Sequence, residues 1–558
     1  MSSSGAFFGS DVAGEPAAVL LPSHYIHIHL VIYLVLSGLV VYLFVTRRRA
    51  GRDSLLSEKV RPMDPPPLPL LLPLLPLCAA RCVSLARHLA ARHRAQHPPL
   101  SIPLPRPPAN IAPRGHRCAA FQIPRSTRAD APLSPLHRPS RRQEIDALCA
   151  EWTPEPLVPS TPPSSMTVDE GIVVQGAVGR TVVVDGKSLV NFASYNFLDV
   201  IGNAEVRAAC EATIVKYGVG ACGPRGFYGT IDVHTDLEER LATFMGTKQS
   251  ILYSYGFATI GSAIPAFAKR GDLLVCDEGI NFACQTGVLL SRAHVRYYKH
   301  NDMGDLARVL QEIEDGPQPK KLNRRFIVFE GISQNYGDIA PLPEILKLKD
   351  RYKFRLMVEE SMSIGVLGKT GRGLSEYYGE DIARLDLVTA TLSNAFGSVG
   401  GFCVGSDTIV DHQRLSGAGY CFSAALPPYL ATAASVIADR LMDKPDELLK
   451  PLNAAAKTLL DGAQQLAAKG ICSVSGQSDS PIVHVRLPKP SGDRVADDTA
   501  LRAIAKAVRN DGFCVVTSKY SAREKFPAEP SIRLVATAGQ KADEIAGLFS
   551  SLEKHLSA

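Results

Sequence analysis

Short apolar runs alternate with longer amphipathic stretches from about residue 172 onward, and this alternation constrains the fold more than any other feature of the chain. The stretches HTDLEERLATFM and PLPEILKLKDRY have the length and spacing of helices. The apolar runs have the length of buried strands, and they read SILYSY, LLVCD, VRYYKH, RFIVFEG, RLMVEES and LDLVTATLS. Strands that alternate with helices in this way predict an α/β fold with a mostly parallel sheet covered on both faces.

Two further segments flank these runs. The run TVVVDGKSLVNF predicts a hairpin, because Asp185-Gly186 can adopt the positive dihedral angles of a tight turn. After residue 428, long helical stretches accompany the strand candidates IVHVRL, FCVVTS and IRLVATA. We therefore predict an N-terminal arm and hairpin at 144–190, a large domain at 191–427 and a small C-terminal domain at 428–558.

Residues 25–46 form an uncharged apolar run, YIHIHLVIYLVLSGLVVYLFVT, that is long enough to cross a bilayer. At about 1.5 Å per residue, a helix of this length spans the roughly 30 Å of a hydrocarbon core. The alternatives are a cleaved signal peptide and a buried core helix, but no Lys or Arg precedes the run, as a signal peptide would require. We predict one transmembrane helix, with residues 1–24 in the lumen and the enzyme-like body in the cytosol, because positive charges follow the run at Arg47, Arg48, Arg49 and Arg52.

A basic, proline-rich stretch separates this run from the rest of the chain. Residues 61–143 contain 13 Arg, no Lys and two acids, and proline recurs in runs such as PPPLPLLLPLLPL. Because proline lacks the backbone donor that helices and sheets need, no periodic element is expected there. We predict that residues 47–143 are a disordered linker.

Composition excludes several classes of function. The arginines behind the net charge of +6 are concentrated in this one stretch, so no basic face for nucleic acid is predicted. The 12 cysteines include no Cys-x-x-Cys pair, and their spacing matches neither a zinc site nor a disulfide scaffold. No Asn-x-Ser/Thr sequon occurs. The folded part is therefore predicted to be cytosolic, reduced and free of metal.

Two glycine-rich segments resemble phosphate-binding loops only in part. Gly368-Lys369-Thr370 would need a glycine five residues before Gly368, where Ser363 stands. The segment Gly218–Gly229 has no strand before it and does not fit G-x-G-x-x-G. Neither segment predicts a nucleotide site.

Several segments carry a family resemblance, in order, over about residues 170–555. They are NFASYNFL, GPRGFYGTIDVHTDLEERLATF, Asp277, His300-Asn301-Asp302, Glu330, Gly365–Gly373 and FGSVGGF. Together they resemble the α-oxoamine synthases, pyridoxal-phosphate (PLP) enzymes that condense an amino acid with an acyl-CoA. The resemblance implies PLP-dependent transferase fold type I, in which a three-layer αβα large domain carries a smaller α/β C-terminal domain.

The residues that PLP chemistry needs are altered here. That chemistry uses a lysine to hold the cofactor as a Schiff base and an acid to pair with the pyridine nitrogen. The family motifs place Asn394 at the lysine position and Glu359 at the acid, while Met362 and Phe282 replace two histidines. A carboxamide is not a nucleophile, so the site of this chain is predicted to be non-catalytic.

Two alternatives remain beside this hypothesis. Lys369 or Lys299 could replace the missing lysine, and the chain would then be an independently active PLP-dependent acyltransferase. The chain could also be a membrane scaffold without enzymatic association. Because three other site positions depart from the family pattern together with Asn394, relaxation of the whole site is the favoured hypothesis.

Within the family, this pattern resembles the lysine-less subunits that form heterodimers with a lysine-bearing catalytic subunit. The resemblance implies condensation of L-serine with palmitoyl-CoA to 3-ketosphinganine at the endoplasmic reticulum membrane, with PLP bound through the lysine of the partner. It also implies small membrane regulatory subunits and contact with the lipid bilayer.

Fold type I enzymes complete each active site with loops from the other subunit. Cys222, Pro224, Arg225 and Tyr228 lie in a glycine-rich stretch and are candidate contacts to the active site of the partner, because glycines let a backbone approach closely. A tight turn packed against its own domain is an equal alternative. Arg533 matches an arginine that related enzymes use for the substrate carboxylate, and it is a candidate relic of that role.

Overall fold

The computed structural model describes residues 141–153, 156, 172–317, 323–521 and 523–557. The predicted luminal tail, the transmembrane helix and all but the last three residues of the predicted linker lie outside the described residues. Helix α1 (Arg141–Glu151) takes up those three linker residues, and every residue of it is exposed. No helix in the described part of the chain is long and apolar enough to cross a membrane.

Helices follow strands along the chain, as the alternating pattern predicts. The strands are β1 (Val174–Gln175), β2 (Thr181–Val184), β3 (Lys187–Asn191), β4 (Gln249–Tyr253), β5 (Leu273–Asp277), β6 (His294–Tyr298), β7 (Arg325–Glu330), β8 (Arg355–Glu359), β9 (Leu387–Thr391), β10 (Gly401–Gly405), β11 (Ser473–Ser475), β12 (Ile482–Arg486), β13 (Phe513–Cys514), β14 (Val516–Thr517) and β15 (Ile532–Val535). The remaining helices are α2 (Ala204–Tyr217), α3 (Asp232–Met245), α4 (Gly256–Phe267), α5 (Phe282–Ser291), α6 (Met303–Asp315), α7 (Leu342–Tyr352), α8 (Leu374–Tyr378), α9 (Asp407–Ser416), α10 (Ala418–Cys421), α11 (Pro428–Asp443), α12 (Pro445–Ala468), α13 (Arg494–Asn510) and α14 (Ala542–Leu556).

The central sheet has the order β4-β10-β9-β8-β7-β5-β6, and β10 runs antiparallel to the other strands. The prediction of a mostly parallel sheet is therefore confirmed. No pattern predicts β10, because its sequence GFCVG is bounded by glycines, which are depleted in strands. Gly401 is needed at this place, since a Cβ there would overlap the Thr259 hydroxyl of α4.

Helices cover the central sheet on both faces. Alternate residues of β7 point to opposite sides, as the pleat of a strand requires. Ile327 and Phe329 join the apolar cluster on one side, and Phe326 and Val328 join the cluster on the other. The strands are thus buried on both faces, which is why they read as continuous apolar runs.

The small domain combines the N-terminal hairpin with the C-terminal strands. Strands β2 and β3 form the predicted hairpin, with φ of 51° at Asp185 and 73° at Gly186. Strands β11, β12, β15 and β14 form a separate sheet. The run FCVVTS is divided between the two sheets, because β13 pairs with β3 and β14 pairs with β15.

The boundary between the domains differs from the predicted one. Helix α11, assigned to the small domain by the predicted division at 427/428, places Ala434 and Ile437 in the core of the central sheet. Helix α12 then spans both domains, since Leu452 lies in the large-domain core and Leu459 in the small-domain core. The boundary falls within α12, where a continuous helix offers no break in composition.

Candidate functional site

The carboxyl ends of the parallel strands bring acids together at one edge of the central sheet. Glu330 ends β7 and Glu359 ends β8, and the two residues are directly paired in the sheet with both side chains buried. Asn281, just before α5, links them. Its backbone N–H donates to Glu330 Oε1 at 2.5 Å, and its Nδ2 donates to Glu359 Oε2 at 3.4 Å. The site is thus a buried carboxyl pair with neutral hydrogen-bond donors.

These buried carboxyls retain protons more readily than exposed ones. Burial raises the pKa of Glu330, and the adjacent Glu359 raises it further. Burial also raises the pKa of Glu359, although hydrogen bonds from Ser361 oppose the rise. The neighbouring Glu360 is fully buried, and burial raises its pKa to about 7. The cluster therefore keeps part of its protons at neutral pH.

The predicted lysine position, Asn394, holds a neutral side chain that is already hydrogen-bonded. Asn394 is buried, and its Nδ2 donates to the Ser361 carbonyl at 2.8 Å and to Met362 Sδ at 3.4 Å. The Ser361 backbone N–H donates in turn to Glu359 Oε1 at 3.1 Å. The structure thus brings Asn394, Met362 and Glu359 together around Ser361, a link that no sequence motif predicts.

Neither alternative lysine belongs to this cluster. Lys299 and Lys369 are both exposed, and within the described ranges no hydrogen bond or ion pair joins either side chain to Glu359. A replacement lysine would have to reach the acid at the sheet edge. The geometry therefore does not support the alternative in which Lys299 or Lys369 replaces the missing lysine.

The loop that contains Lys369 is closed by a carboxylate of the same chain. Glu376 accepts hydrogen bonds from the backbone N–H of Thr370 at 3.1 Å and of Arg372 at 3.0 Å. A phosphate-binding loop must offer such N–H groups to its ligand. This loop does not, as its sequence predicts.

The predicted stacking position carries an aromatic but apolar side chain, Phe282. Phe282 begins α5 and is half-buried, and its ring centroid lies 6.0 Å from that of Phe257 in the first turn of α4. Phe257 is 54% exposed. No motif predicts that Phe257 lies beside Phe282. The only feature of the sequence that could have indicated it is an aromatic residue shortly after the end of a buried strand.

Arg225, predicted as a contact to a partner, is instead buried in its own domain. Its Nη1 and Nη2 donate to Glu238 Oε1 and Oε2, each at 2.9 Å, and its Nε donates to Thr230 Oγ1 at 3.0 Å. A planar guanidinium matches a carboxylate in this two-pronged geometry, so the pair can be buried together. Arg225 anchors the glycine-rich loop and is not available to a partner.

The tip of this loop remains exposed. Cys222 and Tyr228 are exposed and have φ of 56° and 64°, angles that non-glycine residues seldom adopt. Pro224 is half-buried, and Phe227, which no motif predicts, is 65% exposed. Such backbone angles persist only where the surroundings fix them. Of the predicted contacts, Cys222 and Tyr228 are exposed at the surface, and the surrounding structure fixes their backbone conformation.

Arg533 lies on β15, with its guanidinium 4.3 Å from the centre of the Tyr195 ring. Its Nη2 donates to the Ala193 carbonyl at 3.0 Å. Among the residues that the structure describes, no carboxylate pairs with it. Arg533 thus retains a charge that could receive a carboxylate.

A charged histidine braces the neighbouring strand. His300 Nδ1 lies 2.7 Å from Asp277 Oδ1 at the end of β5, and its Nε2 lies 2.9 Å from Asp338 Oδ1. Tyr336 stacks on the imidazole, with 4.2 Å between ring centroids. Burial alone would lower the pKa of His300, but the two carboxylates outweigh burial and raise it to about 10. His300 therefore fixes the end of β5, which lies beside the carboxyl pair. The family motif predicts neither Asp338 nor Tyr336 as its partners.

The family model for class I and II aminotransferases matches residues 187–552, which include both domains. The chain belongs to this family. It is 45% identical over 435 residues to long chain base biosynthesis protein 1b of Oryza sativa subsp. japonica, a match that covers 78% of this chain and 88% of that relative. It is 42% identical over 417 residues to serine palmitoyltransferase 1 of Dictyostelium discoideum, covering 74% and 87% of the two chains.

Solved structures of the family share the fold. The serine palmitoyltransferase of S. paucimobilis with bound PLP–myriocin aldimine superposes with a TM-score of 0.63 at 26% identity, covering 70% of this chain and 94% of that one. The predicted PLP-dependent transferase fold is therefore confirmed.

PLP is the cofactor that this fold implies, yet the residues of the site do not fit PLP held by this chain alone. Covalent attachment needs an amine, whereas position 394 carries a carboxamide. We assign no chemical step to this chain's own site.

The substitution Glu360→Gln should flatten the pH dependence of stability. The pKa of Glu360 is raised in the folded chain from an ordinary 4.5 to about 7, so its contribution to stability is complete below about 4.5 and is lost as the pH rises through about 7. Glutamine stays neutral throughout. Between about pH 6 and pH 8.5, we expect the free energy of unfolding to fall by about 1 kcal/mol less in the variant than in the wild type, as measured by urea denaturation.

The matched control is Glu205→Gln, which removes an exposed acid of α2. This control should leave the pH profile unchanged. A wild-type profile in the Glu360→Gln variant would contradict the assignment of the raised pKa to Glu360.

Proposed function

We propose that this chain is the non-catalytic subunit of a serine palmitoyltransferase and acts only as a heterodimer with a lysine-bearing catalytic subunit. The complex condenses L-serine with palmitoyl-CoA, releases CO2 and CoA, and gives 3-ketosphinganine for sphingolipid synthesis. The observation that carries this proposal is Asn394, in a family whose covalent chemistry needs a lysine at that position. The similarity to serine palmitoyltransferase 1 of D. discoideum supports the substrate class.

In this complex, the lysine of the partner holds PLP, and this chain contributes the surface of its glycine-rich loop to the pocket of the partner. The buried Arg225–Glu238 ion pair fixes the base of the glycine-rich loop. Cys222, Phe227 and Tyr228 project from that base. A loop that is ordered before binding can complete a neighbouring pocket without a further loss of entropy. We assign these three side chains to the active site of the partner.

The proposal also includes attachment to the endoplasmic reticulum membrane and association with small membrane regulatory subunits. It rests on the uncharged run at 25–46, which lies outside the described residues, and on the arginines that follow it. A single pass places the N-terminus in the lumen and the folded body in the cytosol.

Deletion of residues 1–60 should release the folded body into the soluble fraction when the catalytic partner is absent, because the other uncharged runs of 20 residues or more, at 249–268, 387–406 and 415–438, form strands and helices of that body. Fractionation of membranes followed by immunoblotting measures this release. Protease protection of the body in sealed membranes containing the full chain would show a luminal body and overturn the orientation.

The variant Asn394→Lys should not be an active enzyme by itself. The carboxyl of Glu359 is held by Ser361, and Phe282 and Met362 still occupy the places of two histidines. We expect no turnover of L-serine with palmitoyl-CoA, and no pyridoxyl-lysine mass after borohydride reduction of the purified variant. The lysine-bearing partner, treated in the same way, should give that mass. Turnover by the variant alone would show that the rest of the site is intact, and a pyridoxyl label on Lys299 or Lys369 of the wild type would establish the independent acyltransferase instead.

The variant Cys222→Trp should alter the activity of the complex without unfolding this chain. Cys222 is exposed, so an indole at this position meets no core side chain of its own domain. In a pocket of the partner it would be overpacked, at a cost of about 1–3 kcal/mol, and a shift of about 1 Å in a positioning loop can lower the rate about a hundredfold. Turnover with L-serine and with L-alanine, together with dimer yield by size exclusion, measures the effect.

The matched control is Cys149→Trp, which changes an exposed cysteine on α1. It should leave both turnover and dimer yield unchanged. If Cys222→Trp lowers dimer yield while the surviving dimer keeps normal turnover, the loop supports assembly and does not enter the pocket.

A further inference from the structure

A groove of about 1160 Å³ opens at the edge of the central sheet opposite to the carboxyl pair. It is lined by the first residues of β7, β8 and β9 and by the last residues of β10. Because Arg355 begins β8 and Glu359 ends it, the groove lies about 13 Å from the carboxyl pair. It is therefore a separate site on the same sheet.

Three basic side chains follow one another along the rim of this groove. Arg351, Lys353 and Arg355 are exposed, whereas the intervening Tyr352 and Phe354 are buried. This alternation exposes the three charges together where the chain passes from α7 into β8. The turn between these elements is defined by Lys353, which has φ of 58° and donates its backbone N–H to the Lys349 carbonyl.

The acids that line the groove are already engaged. The contacts are Asp386 with Lys349 at 3.0 Å, Asp381 with the Ala383 N–H at 2.9 Å, and Glu314 with Arg325 at 3.4 Å. Within the described ranges, no carboxylate pairs with the three rim cations. The rim therefore carries positive charge that an anion can neutralise.

An aromatic surface completes the groove. The imidazole of His412 is exposed, and its centroid lies 4.9 Å from that of Phe267. Its Nε2 lies 2.9 Å from the Ala266 carbonyl, which fixes the orientation of the ring. A fixed, exposed ring offers a face on which a nucleobase can stack.

We propose that this groove binds a nucleotide-type polyphosphate, with the phosphates at Arg351, Lys353 and Arg355 and the base against His412. The volume suffices, since sites for small molecules measure about 300–1,000 Å³. Arginine and lysine are the usual ligands of phosphate oxygens. The ring favours a nucleotide over an acidic peptide, which would use the charges alone. This site does not depend on the proposed role in serine palmitoyltransferase.

The test is calorimetric titration of the full-length chain with ATP and, separately, with inorganic tripolyphosphate, both without magnesium. We expect saturable binding of ATP that weakens at least about tenfold in the double variant Lys353→Ala/Arg355→Ala, because two charge-assisted contacts are lost. The variant His412→Ala should weaken ATP about fivefold and leave tripolyphosphate unchanged, since only the base stacks on the ring.

The matched control is Lys450→Ala/Lys457→Ala, which removes the same charge from exposed positions of α12 outside the groove. It should bind ATP as the wild type does. Absence of saturable ATP binding, or equal losses in the two double variants, would overturn the site. Tripolyphosphate that binds as tightly as ATP, with no effect of His412→Ala, would overturn the nucleotide class and leave a binding site for simple polyanions.

Discussion

Parallel pairing of neighbouring strands is the constraint on which the rest of this molecule depends. Parallel strands end at one edge of a sheet, so β7 and β8 necessarily deliver Glu330 and Glu359 to the same place. Helices on both faces exclude water from that edge, which makes a negative charge costly there. The chain meets this cost with raised pKa values that favour protonated carboxyls and with neutral donors from Asn281, and no cation of the described residues forms an ion pair with Glu330 or Glu359.

The glycine-rich loop depends on a second buried contact. A buried ion pair stabilises a fold only weakly, because desolvation of both charges offsets their attraction. The main effect of the Arg225–Glu238 pair is to fix the position of the loop. Arg225 makes two bonds to Glu238, which also accepts a hydrogen bond from the Leu252 N–H of β4 at 2.9 Å. The loop is thereby tied to the central sheet, and this support lets Tyr228 keep a positive φ while its side chain is fully exposed.

The sequence predicts the parts of this fold that follow a simple period, and it fails where tertiary contact decides. The strands buried on both faces are evident as apolar runs, and the hairpin is evident from Asp185-Gly186. Strand β10 is hidden because Gly401 is selected by close packing against Thr259 and not by strand propensity. The division of FCVVTS between two sheets leaves no local signal, because both halves are apolar. Arg225 is a further example, because a charged residue in a glycine-rich loop is expected to be exposed. It is buried only because the fold brings it to Glu238, which lies 13 positions along the chain.

The hydrogen bonds of the site explain why an asparagine fits at position 394. Its carboxamide donates to the Ser361 carbonyl, and the Ser361 N–H donates to Glu359, so a chain of hydrogen bonds runs from the loop after β9 to the acid at the end of β8. A cation at 394 would favour ionisation of Glu359, whose pKa is raised by burial. An ion pair would then replace this chain of hydrogen bonds, and the buried carboxyls would have to redistribute their protons. Asn394 and Met362 are both buried, so they take part in the packing that holds the strand ends. In the proposed heterodimer, this packing supports the rigidity that a subunit needs if its contribution is to present an ordered loop to another chain.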